Sequence, residues 1–143
     1  MASRKTLGAS PSTKELTAVE LEMMNVIWQI GPCSVARVQE QLRPQRDLAY
    51  TSVSTIVRIL EQKGYVTSEK EGRGHVYAAA VSKESYQALS LKRIVRNVFD
   101  GAPSLLVQQL LASETLTPEE LAQIENLLRE KTSAGAPRTR GKG

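Results

Sequence analysis

Apolar residues recur at helical spacing along most of this chain, and each stripe of them predicts one amphipathic helix. The first stripe starts at Thr17, where Glu20 three residues later completes a capping box, and it stops at Gly31. A second, shorter stripe starts at Ser34 and stops at Pro44. The first part of the chain is therefore predicted to form two short helices.

The middle of the chain is predicted to form a third helix whose two faces differ in character. It covers about residues 50–63 and ends at Gly64, which supplies the left-handed C-terminal position. The face turned to the core carries Val53, Ile56, Val57 and Leu60. The opposite face carries Thr51, Thr55, Arg58 and Gln62. Hydroxyl, guanidinium and amide groups hydrogen-bond to base edges and phosphates in a major groove that admits a helix, so this helix is predicted to recognise DNA.

Two short strands are predicted directly after this helix. Residues 65–68 and 75–78 are rich in aromatic and β-branched side chains, and the glycine-bearing segment 71–74 is predicted to be the turn between them. Three helices followed by a hairpin are typical of a winged helix-turn-helix, which should end near Val81. In that arrangement the polar face of the third helix is the one left open to DNA.

The remainder of the chain is predicted to be all helical. Ser82 caps one helix, which ends at residues 101–103, and an apolar segment follows over residues 104–111. Thr117 and Pro118 begin the last helix. Roughly 50 residues in three helices are too few for a core of their own, so we expect their apolar faces to be buried against a second copy of the chain. The predicted dimerisation residues are Leu91, Ile94, Val95, Val98, Leu105, Leu106, Leu110, Leu121, Ile124 and Leu128.

The predicted fold class is mostly α with a small β-hairpin. A winged helix-turn-helix DNA-binding domain is expected over residues 15–82, and an all-helical dimerisation domain over residues 83–130. Residues 1–14 and 131–143 contain glycine, serine, proline and basic residues but no acidic residue. They are expected to form a disordered basic arm and a disordered basic tail.

The net charge of +4 changes this picture little. Three of the 19 basic residues lie in the N-terminal arm and four in the C-terminal tail, while all 15 acidic residues lie between them. Because the body of the protein is slightly acidic, overall charge does not argue for DNA binding, and the arms add only non-specific attraction to phosphates. The prediction of DNA binding therefore depends on local geometry.

Catalysis and metal binding are not predicted. Cys33 is the only cysteine and His75 the only histidine, so neither a disulfide, a metal-binding cluster nor a nucleophile–base pair can be assembled from them. No apolar run approaches the ~20 residues of a membrane span, and the polar residues 1–10 have no signal-peptide core. We therefore expect a cytoplasmic protein without a cofactor, a small-molecule substrate or membrane insertion.

The residues predicted to contact DNA are Thr51, Ser52, Thr55, Arg58, Arg73, Arg46 and His75. The first four lie on the third helix, Arg46 lies near its entrance, and the other two lie on the hairpin. For each of them the alternative is an ordinary solvated surface, and for His75 the two interpretations are equally good. The main alternative function is a winged helix that binds a partner protein, and salt-dependent binding to one operator distinguishes the two.

The order of these segments closely resembles the penicillinase-repressor family of bacterial regulators, which includes the methicillin-resistance repressors. The resemblance spans about residues 16–130 and rests on LTAVE at 16–20, VIW at 26–28, GPC at 31–33, TSVST at 51–55, RIL at 58–60, KGYV at 63–66, YA at 77–78, VS at 81–82 and LTPEEL at 116–121. It implies a homodimeric transcriptional repressor that binds a palindromic double-stranded DNA operator through its winged helix, with a link to antibiotic resistance.

The resemblance also implies how such a repressor is released from DNA. In the family a membrane-bound zinc metalloprotease that senses β-lactams cuts the C-terminal domain. The scissile Asn-Phe pair of the staphylococcal members corresponds to Gln109 and Leu110 in this chain, and this difference leaves open a non-proteolytic signal. Leu48 and Ala49 replace the aromatic residue and serine that members often have, so the cap of the third helix is expected to be weak. The copper-responsive cysteine motif of some relatives is missing from this sequence.

Overall fold

The computed structural model describes residues 15–142 of the chain, with side chains over residues 15–134. These residues form six helices and one two-stranded hairpin: α1 (Ala18–Ile30), α2 (Val35–Leu42), α3 (Tyr50–Gln62), β1 (Val66–Glu71), β2 (Gly74–Ala79), α4 (Lys83–Val98), α5 (Pro103–Ala112) and α6 (Pro118–Lys142). The predicted fold class, mostly α with a small β-hairpin, is confirmed. The predicted basic arm over residues 1–14 lies outside the described residues.

The first two helices begin at the residues that the sequence predicts. The Thr17 hydroxyl accepts a hydrogen bond of 3.2 Å from the N–H of Glu20, whose carboxylate accepts one of 2.9 Å from the N–H of Thr17. α1 ends at Gly31, whose φ of 85° is a conformation that other residues rarely adopt. α2 begins after Ser34, whose hydroxyl accepts from the N–H of Arg37 at 3.2 Å. These caps fix the helices against which α3 packs.

One apolar core joins the three N-terminal helices to the hairpin. Its fully buried side chains come from α1, α2, α3, β1 and the α3–β1 connection: Met23, Met24, Ile27, Val38, Leu42, Val53, Val57, Leu60, Tyr65 and Val66. Burying a large apolar side chain contributes about 1.5–3 kcal/mol to the free energy of unfolding. Because α3 gives three residues to this core, the packing that folds the domain also fixes the orientation of α3.

The hairpin is longer than predicted and its turn is shorter. β1 and β2 pair antiparallel along their whole lengths, which reduces the predicted turn over residues 71–74 to Gly72 and Arg73. Gly72 has a φ of 61°, and glycine at positive φ permits such a two-residue turn. The loop before α2 adds a further bridge, in which Cys33 and Tyr77 exchange backbone hydrogen bonds of 3.0 and 2.8 Å. This bridge ties the base of the hairpin to the helical core.

The chain divides into two compact units, Met1–Arg93 and Ile94–Gly143. The sequence prediction placed the domain boundary at the start of α4, whereas the division between the units falls within α4. The first part of α4 belongs to the first unit because Tyr86 packs its ring against those of Trp28 and Tyr65, with ring centroids 5.8 and 5.9 Å away.

The second unit is helical, and none of its described side chains is buried. α6 continues to Lys142, whereas a disordered tail was expected from residue 131. That expectation rested on the glycine and proline content of this segment, but both residue types weaken a helix without always ending it. Among the residues described, every helix is too short or too polar to span a membrane.

Candidate nucleic-acid interface

α3 separates a buried apolar face from an exposed polar face, as the sequence predicts. On one side Val53, Val57 and Leu60 are fully buried. On the other side the exposed residues are Thr51, Ser52, Thr55, Arg58 and Gln62. Since the buried side chains fix the rotation of the helix about its axis, the polar groups are held outward. The result is a surface of hydrogen-bond donors and acceptors of the types that read base edges and bind phosphates.

The start of α3 carries an exposed aromatic side chain that the sequence analysis missed. The N-cap residue, Ala49, makes no side-chain cap hydrogen bond, which agrees with the weak cap expected at this position. The first helical residue, Tyr50, is 52% exposed and was not among the predicted contacts. Helical spacing gave no signal of this exposure, because Tyr50 lies three and seven residues before Val53 and Val57 and so extends the apolar stripe of the helix.

The segment that leads into α3 is held by side chains of α1 and α2. Gln39 donates a hydrogen bond of 3.0 Å from Nε2 to the carbonyl oxygen of Leu48. Arg46 donates from Nε and Nη2 to the two carboxylate oxygens of Glu22, at 2.6 and 3.0 Å. These hydrogen bonds lower the pKa of Glu22 and raise the pKa of Arg46. The sequence assigned Arg46 to the DNA backbone, and in the structure two of its nitrogen atoms bind Glu22.

A nearly buried ion pair ties the end of α3 to the start of α1. Lys63, the C-cap residue of α3, donates from Nζ to Oε1 of Glu20 at 2.6 Å and to the carbonyl oxygen of Glu15 at 3.1 Å. Burial raises the pKa of Glu20, but the hydrogen bonds from Lys63 and Thr17, with the charge of Lys63, bring it below its usual value. Only the capping role of Glu20 was predictable from the sequence, since a partner 43 residues away leaves no local signal.

The hairpin, which we call the wing, has one face turned toward the helices. Directly paired residues of an antiparallel hairpin share a face, so the pairs Ser68 with Tyr77 and Lys70 with His75 lie on the same one. We call it the inner face, because Tyr77 is 8% exposed and the Ser68 hydroxyl donates to Oε2 of Glu61 in α3 at 2.7 Å. His75 and Lys70 continue this face toward the tip of the wing, and both are exposed.

The outer face of the wing is acidic, because Glu69 and Glu71 alternate with Lys70 along β1. Arg73 lies in the exposed turn at the tip. The basic groups of the wing are therefore restricted to its tip and its inner face. Lys70 was not among the predicted contacts, because the first strand was predicted to end at residue 68 and Lys70 therefore had no assigned face.

The described residues contain no group of three or more His, Cys, Asp or Glu side chains that could hold a metal ion. Cys33 is buried, and burial raises the pKa of its thiol. A thiol that stays protonated is a poor nucleophile and a poor metal ligand. Cys33 therefore packs as a small apolar residue at the base of the wing.

Most of the apolar side chains that the sequence assigned to a dimer interface are exposed in the single chain. Those with large exposed fractions are Leu91, Ile94, Val98, Leu105, Leu110, Leu121 and Leu128, and the exposed Val107, Leu111 and Leu127 were not among the predicted residues. The side chains of Val95, Leu106 and Ile124 are partly exposed. The described parts of α4, α5 and α6 thus present apolar surface that the chain itself does not cover.

Comparison with known proteins identifies relatives along most of the chain. The sequence model of the family described as penicillinase repressor matches residues 16–130. The chain is 26% identical over 119 residues to the methicillin resistance regulatory protein MecI of Mammaliicoccus sciuri. This match covers 83% of this chain and 97% of that protein. It is 24% identical over 116 residues to the penicillinase repressor of Bacillus licheniformis, covering 81% of this chain and 91% of that protein.

Among solved structures, the chain is similar to the Bacillus licheniformis BlaI monomeric form in complex with the blaP half-operator. The identity is 27%, the match covers 51% of this chain and 89% of that chain, and the TM-score is 0.45.

Proposed function

The chain belongs to the penicillinase repressor family, and from this premise we propose that it acts as a homodimer that binds a palindromic operator through α3 and the wing. The family consists of transcriptional repressors and not of enzymes. Relatives that match over most of their length support a DNA-binding repressor. The proposed function places the protein in the cytoplasm, where the operator is.

The observation that carries this proposal is the exposed polar face of α3. α3 follows α2 as the second helix of a helix-turn-helix, the position whose N-terminal residues contact base edges in the major groove. Thr51, Ser52 and Thr55 are assigned to hydrogen bonds with bases or phosphates. Arg58 is assigned to a base pair, because a guanidinium can donate two parallel hydrogen bonds to one guanine.

The wing is proposed to bind the phosphate backbone beside α3. Arg73 at the tip supplies a positive charge that favours phosphates or a narrow minor groove. Lys70 and His75 extend this basic surface along the inner face, while the carboxylates of the outer face repel phosphates. Arg46 is a further backbone contact, since its Nη1 remains available while Nε and Nη2 bind Glu22.

A second copy of the chain is proposed to cover the exposed apolar side chains of α4, α5 and α6. Exposed apolar surface of this extent is uncommon on proteins that stay monomeric, and obligate dimers bury large apolar interfaces. Two copies related by a two-fold axis present two α3 helices to half-sites about 10 base pairs, or a multiple of that, apart. A palindromic operator is the DNA sequence that matches this symmetry.

Cleavage between Gln109 and Leu110 is proposed to release the operator, through a membrane-bound metalloprotease that senses β-lactams or cell-wall stress. Both residues are exposed within α5. A protease acts on extended chain, so α5 must first open locally. α5 is short and its N-cap, Ala102, makes no side-chain cap hydrogen bond, which keeps the free energy of local opening low. The mass of the protein after induction distinguishes the two kinds of signal. Proteolysis yields fragments, whereas a non-proteolytic signal leaves the full-length mass unchanged.

Selection from a library of random DNA duplexes, followed by footprinting, tests DNA recognition. Arg58→Ala is expected to weaken binding to the selected operator by about 1–3 kcal/mol while barely changing non-specific affinity. Arg37→Ala removes the same charge from the exposed side of α2 and serves as the matched control. Equal affinity of the wild type and Arg58→Ala for the operator would remove Arg58 from base recognition. Failure to select any sequence would favour a protein partner for this face.

A further inference from the structure

The connection between the wing and α4 is held to the first unit by side chains. Trp28 donates a hydrogen bond of 2.9 Å from Nε1 to the carbonyl oxygen of Val81. The hydroxyl of Ser82, the next residue, accepts from the N–H of Ser85 at 3.0 Å and so caps the start of α4. The position at which α4 begins is therefore fixed against α1.

Tyr86 anchors the first turns of α4 to the end of α3. Its ring lies 5.8 Å from that of Trp28 and 5.9 Å from that of Tyr65, the second pair meeting edge to face at 75°. These distances are typical of favourable aromatic pairs. Tyr65 is fully buried, its N–H donates to the carbonyl oxygen of Leu60 in α3 at 2.9 Å, and its own carbonyl accepts from Ala80 at 2.7 Å. Tyr86 thus packs against Tyr65, and the backbone of Tyr65 is hydrogen-bonded to α3.

Arg93 provides a second anchor on the same face of α4. Its Nε lies 3.5 Å from Oε2 of Glu15, and the carbonyl oxygen of Glu15 accepts from Lys63 at the end of α3. The side chain of Arg93 is 22% exposed and that of Glu15 is 67% exposed, so only the guanidinium side of this ion pair is shielded from water. Tyr86 and Arg93 are seven residues apart, which puts them on one face of the helix about 10 Å apart along its axis.

We propose that Tyr86 and Arg93 are positioning residues that fix the direction in which α4 leaves the DNA-reading unit, and that they thereby set the half-site spacing the repressor accepts. This inference rests on the proposed function, because it requires two readers on one operator. α4 is one continuous helix to Val98, and it contains no glycine or proline, the two residue types that most often kink a helix.

The physical reason is that a rigid link holds the second copy's DNA-binding surface, its α3 and wing, at one position relative to the first. We call this surface of each copy the reader. A helix held at two points about two turns apart cannot swing, so the effective concentration of the second reader is high at one spacing and low at others. If the contacts of Tyr86 and Arg93 are removed, α4 can change its direction, and the second reader then occupies several positions. Neither residue needs to contact DNA for this effect.

The test uses the full-length protein and the palindromic duplex recovered by selection, with the native spacing or with one or two base pairs inserted between the half-sites. Each inserted base pair rotates the second half-site by roughly 35°. A duplex with a single half-site measures the reader alone. The double variant Tyr86→Ala/Arg93→Met is compared with Gln87→Ala/Lys92→Met, which changes exposed neighbours on the same helix and removes the same charge.

The wild type and the control pair are expected to lose affinity steeply when two base pairs are inserted. In Tyr86→Ala/Arg93→Met this loss should be at least ~10-fold smaller, because the freed link accepts several spacings, while affinity for the single half-site stays within about twofold of wild type. A variant that is merely destabilised would lose affinity for every duplex alike. If Tyr86→Ala does not fold, Arg93→Met alone is tested, and Arg93→Lys should restore part of the spacing preference.

An unchanged spacing profile in the folded variants would overturn the inference, as would an equal loss on the single half-site. A wild type that binds the palindrome no more tightly than the single half-site would instead contradict the proposed dimeric repressor.

Discussion

Glu20 shows how one side chain can serve two elements of the DNA-reading unit. Its carboxylate completes the capping box of α1 and accepts a hydrogen bond of 2.6 Å from Lys63 at the end of α3. Since Glu20 is only 5% exposed, its charge depends on the hydrogen bonds that it accepts from Thr17 and Lys63, and Lys63 is the partner that carries the opposite charge. The pair therefore helps to hold the end of α3 against α1.

Lys63→Met is expected to lower the free energy of unfolding at neutral pH by about 2–3 kcal/mol, because it leaves a nearly buried carboxylate without its partner. The folded-state pKa of Glu20 is below the ordinary 4.5, so its contribution to stability is present above that pH and is lost as the pH falls through the folded-state pKa. The difference between wild type and variant should therefore shrink as the pH falls below about 4.5.

Urea unfolding between about pH 6 and pH 3 measures this difference. Lys92→Met, which removes an exposed lysine of α4, is the control and should leave stability nearly unchanged at every pH. A Lys63→Met protein as stable as wild type at neutral pH would show that the ion pair contributes nothing.

Single residues were predictable from the sequence where their role depends on near neighbours. Thr51, Thr55 and Arg58 are exposed, as expected, because helical periodicity alone opposes them to a buried stripe. The engagement of Arg46 by Glu22 was not predicted, since the two residues lie 24 positions apart and only the packed fold brings them together.

At the scale of elements, the wing separates charge by the alternation of side chains along β1. Lys70 shares the inner face with His75, while Glu69 and Glu71 lie on the outer face. The inner face also contains Ser68, which is hydrogen-bonded to α3. A duplex that lies against α3 would therefore meet the basic face of the wing and leave the acidic face in water.

Lys70→Gln is expected to weaken binding to every duplex and to reduce the slope of log K against log salt concentration by roughly 0.9, the value for one lost phosphate contact. Glu69→Gln changes the net charge by one unit on the outer face and should leave that slope unchanged. Titrations of both variants and the wild type at several salt concentrations measure the slopes. Slope changes of equal size and opposite sign in the two variants would mean that net charge, and not the orientation of the wing, controls binding.

Helix starts were predicted well and strand lengths poorly, for a physical reason. Thr17 and Ser34 mark helix starts through hydrogen bonds to residues three positions ahead, so their signal is local. Glu69, Lys70 and Glu71 have low strand propensity, yet they extend β1 because the facing strand supplies hydrogen-bond partners. Pairing between strands thus overrides the local preference of these residues.

At the scale of the whole molecule, the two units differ in where their apolar side chains lie. The first unit encloses a core that is fully buried within the single chain. The described residues of the second unit bury none of theirs, although the sequence contains the same kind of helical stripes. From the sequence, no separate core was expected in this part of the chain, because roughly 50 residues in three helices are too few to enclose one. The first unit extends into α4 because Tyr86 packs against Trp28 and Tyr65, contacts that the sequence does not show.

The exposed leucines of α5 and α6 are the side chains on which the proposed dimer depends. Leu110 and Leu128 are 40% and 60% exposed in the single chain, so a charge at either position costs the single chain little packing. In the proposed dimer the same charges would be buried without partners, which is strongly unfavourable. Leu110→Glu/Leu128→Glu is therefore expected to convert a dimer into a monomer at micromolar concentration. Gln108→Glu/Gln123→Glu places the same two charges on exposed polar positions of the same helices and should remain dimeric.

Sedimentation measures the mass of each protein, and gel-shift titrations against the palindrome and a single half-site measure the consequence for DNA. The leucine variant should bind the single half-site as tightly as wild type, because no residue of α3 or the wing is changed. It should bind the palindrome at least ~100-fold more weakly, the low end of the gain from linking two sites. If it sedimented as a monomer yet kept wild-type affinity for the palindrome, dimerisation would not control operator binding, and cleavage within α5 could not release the operator.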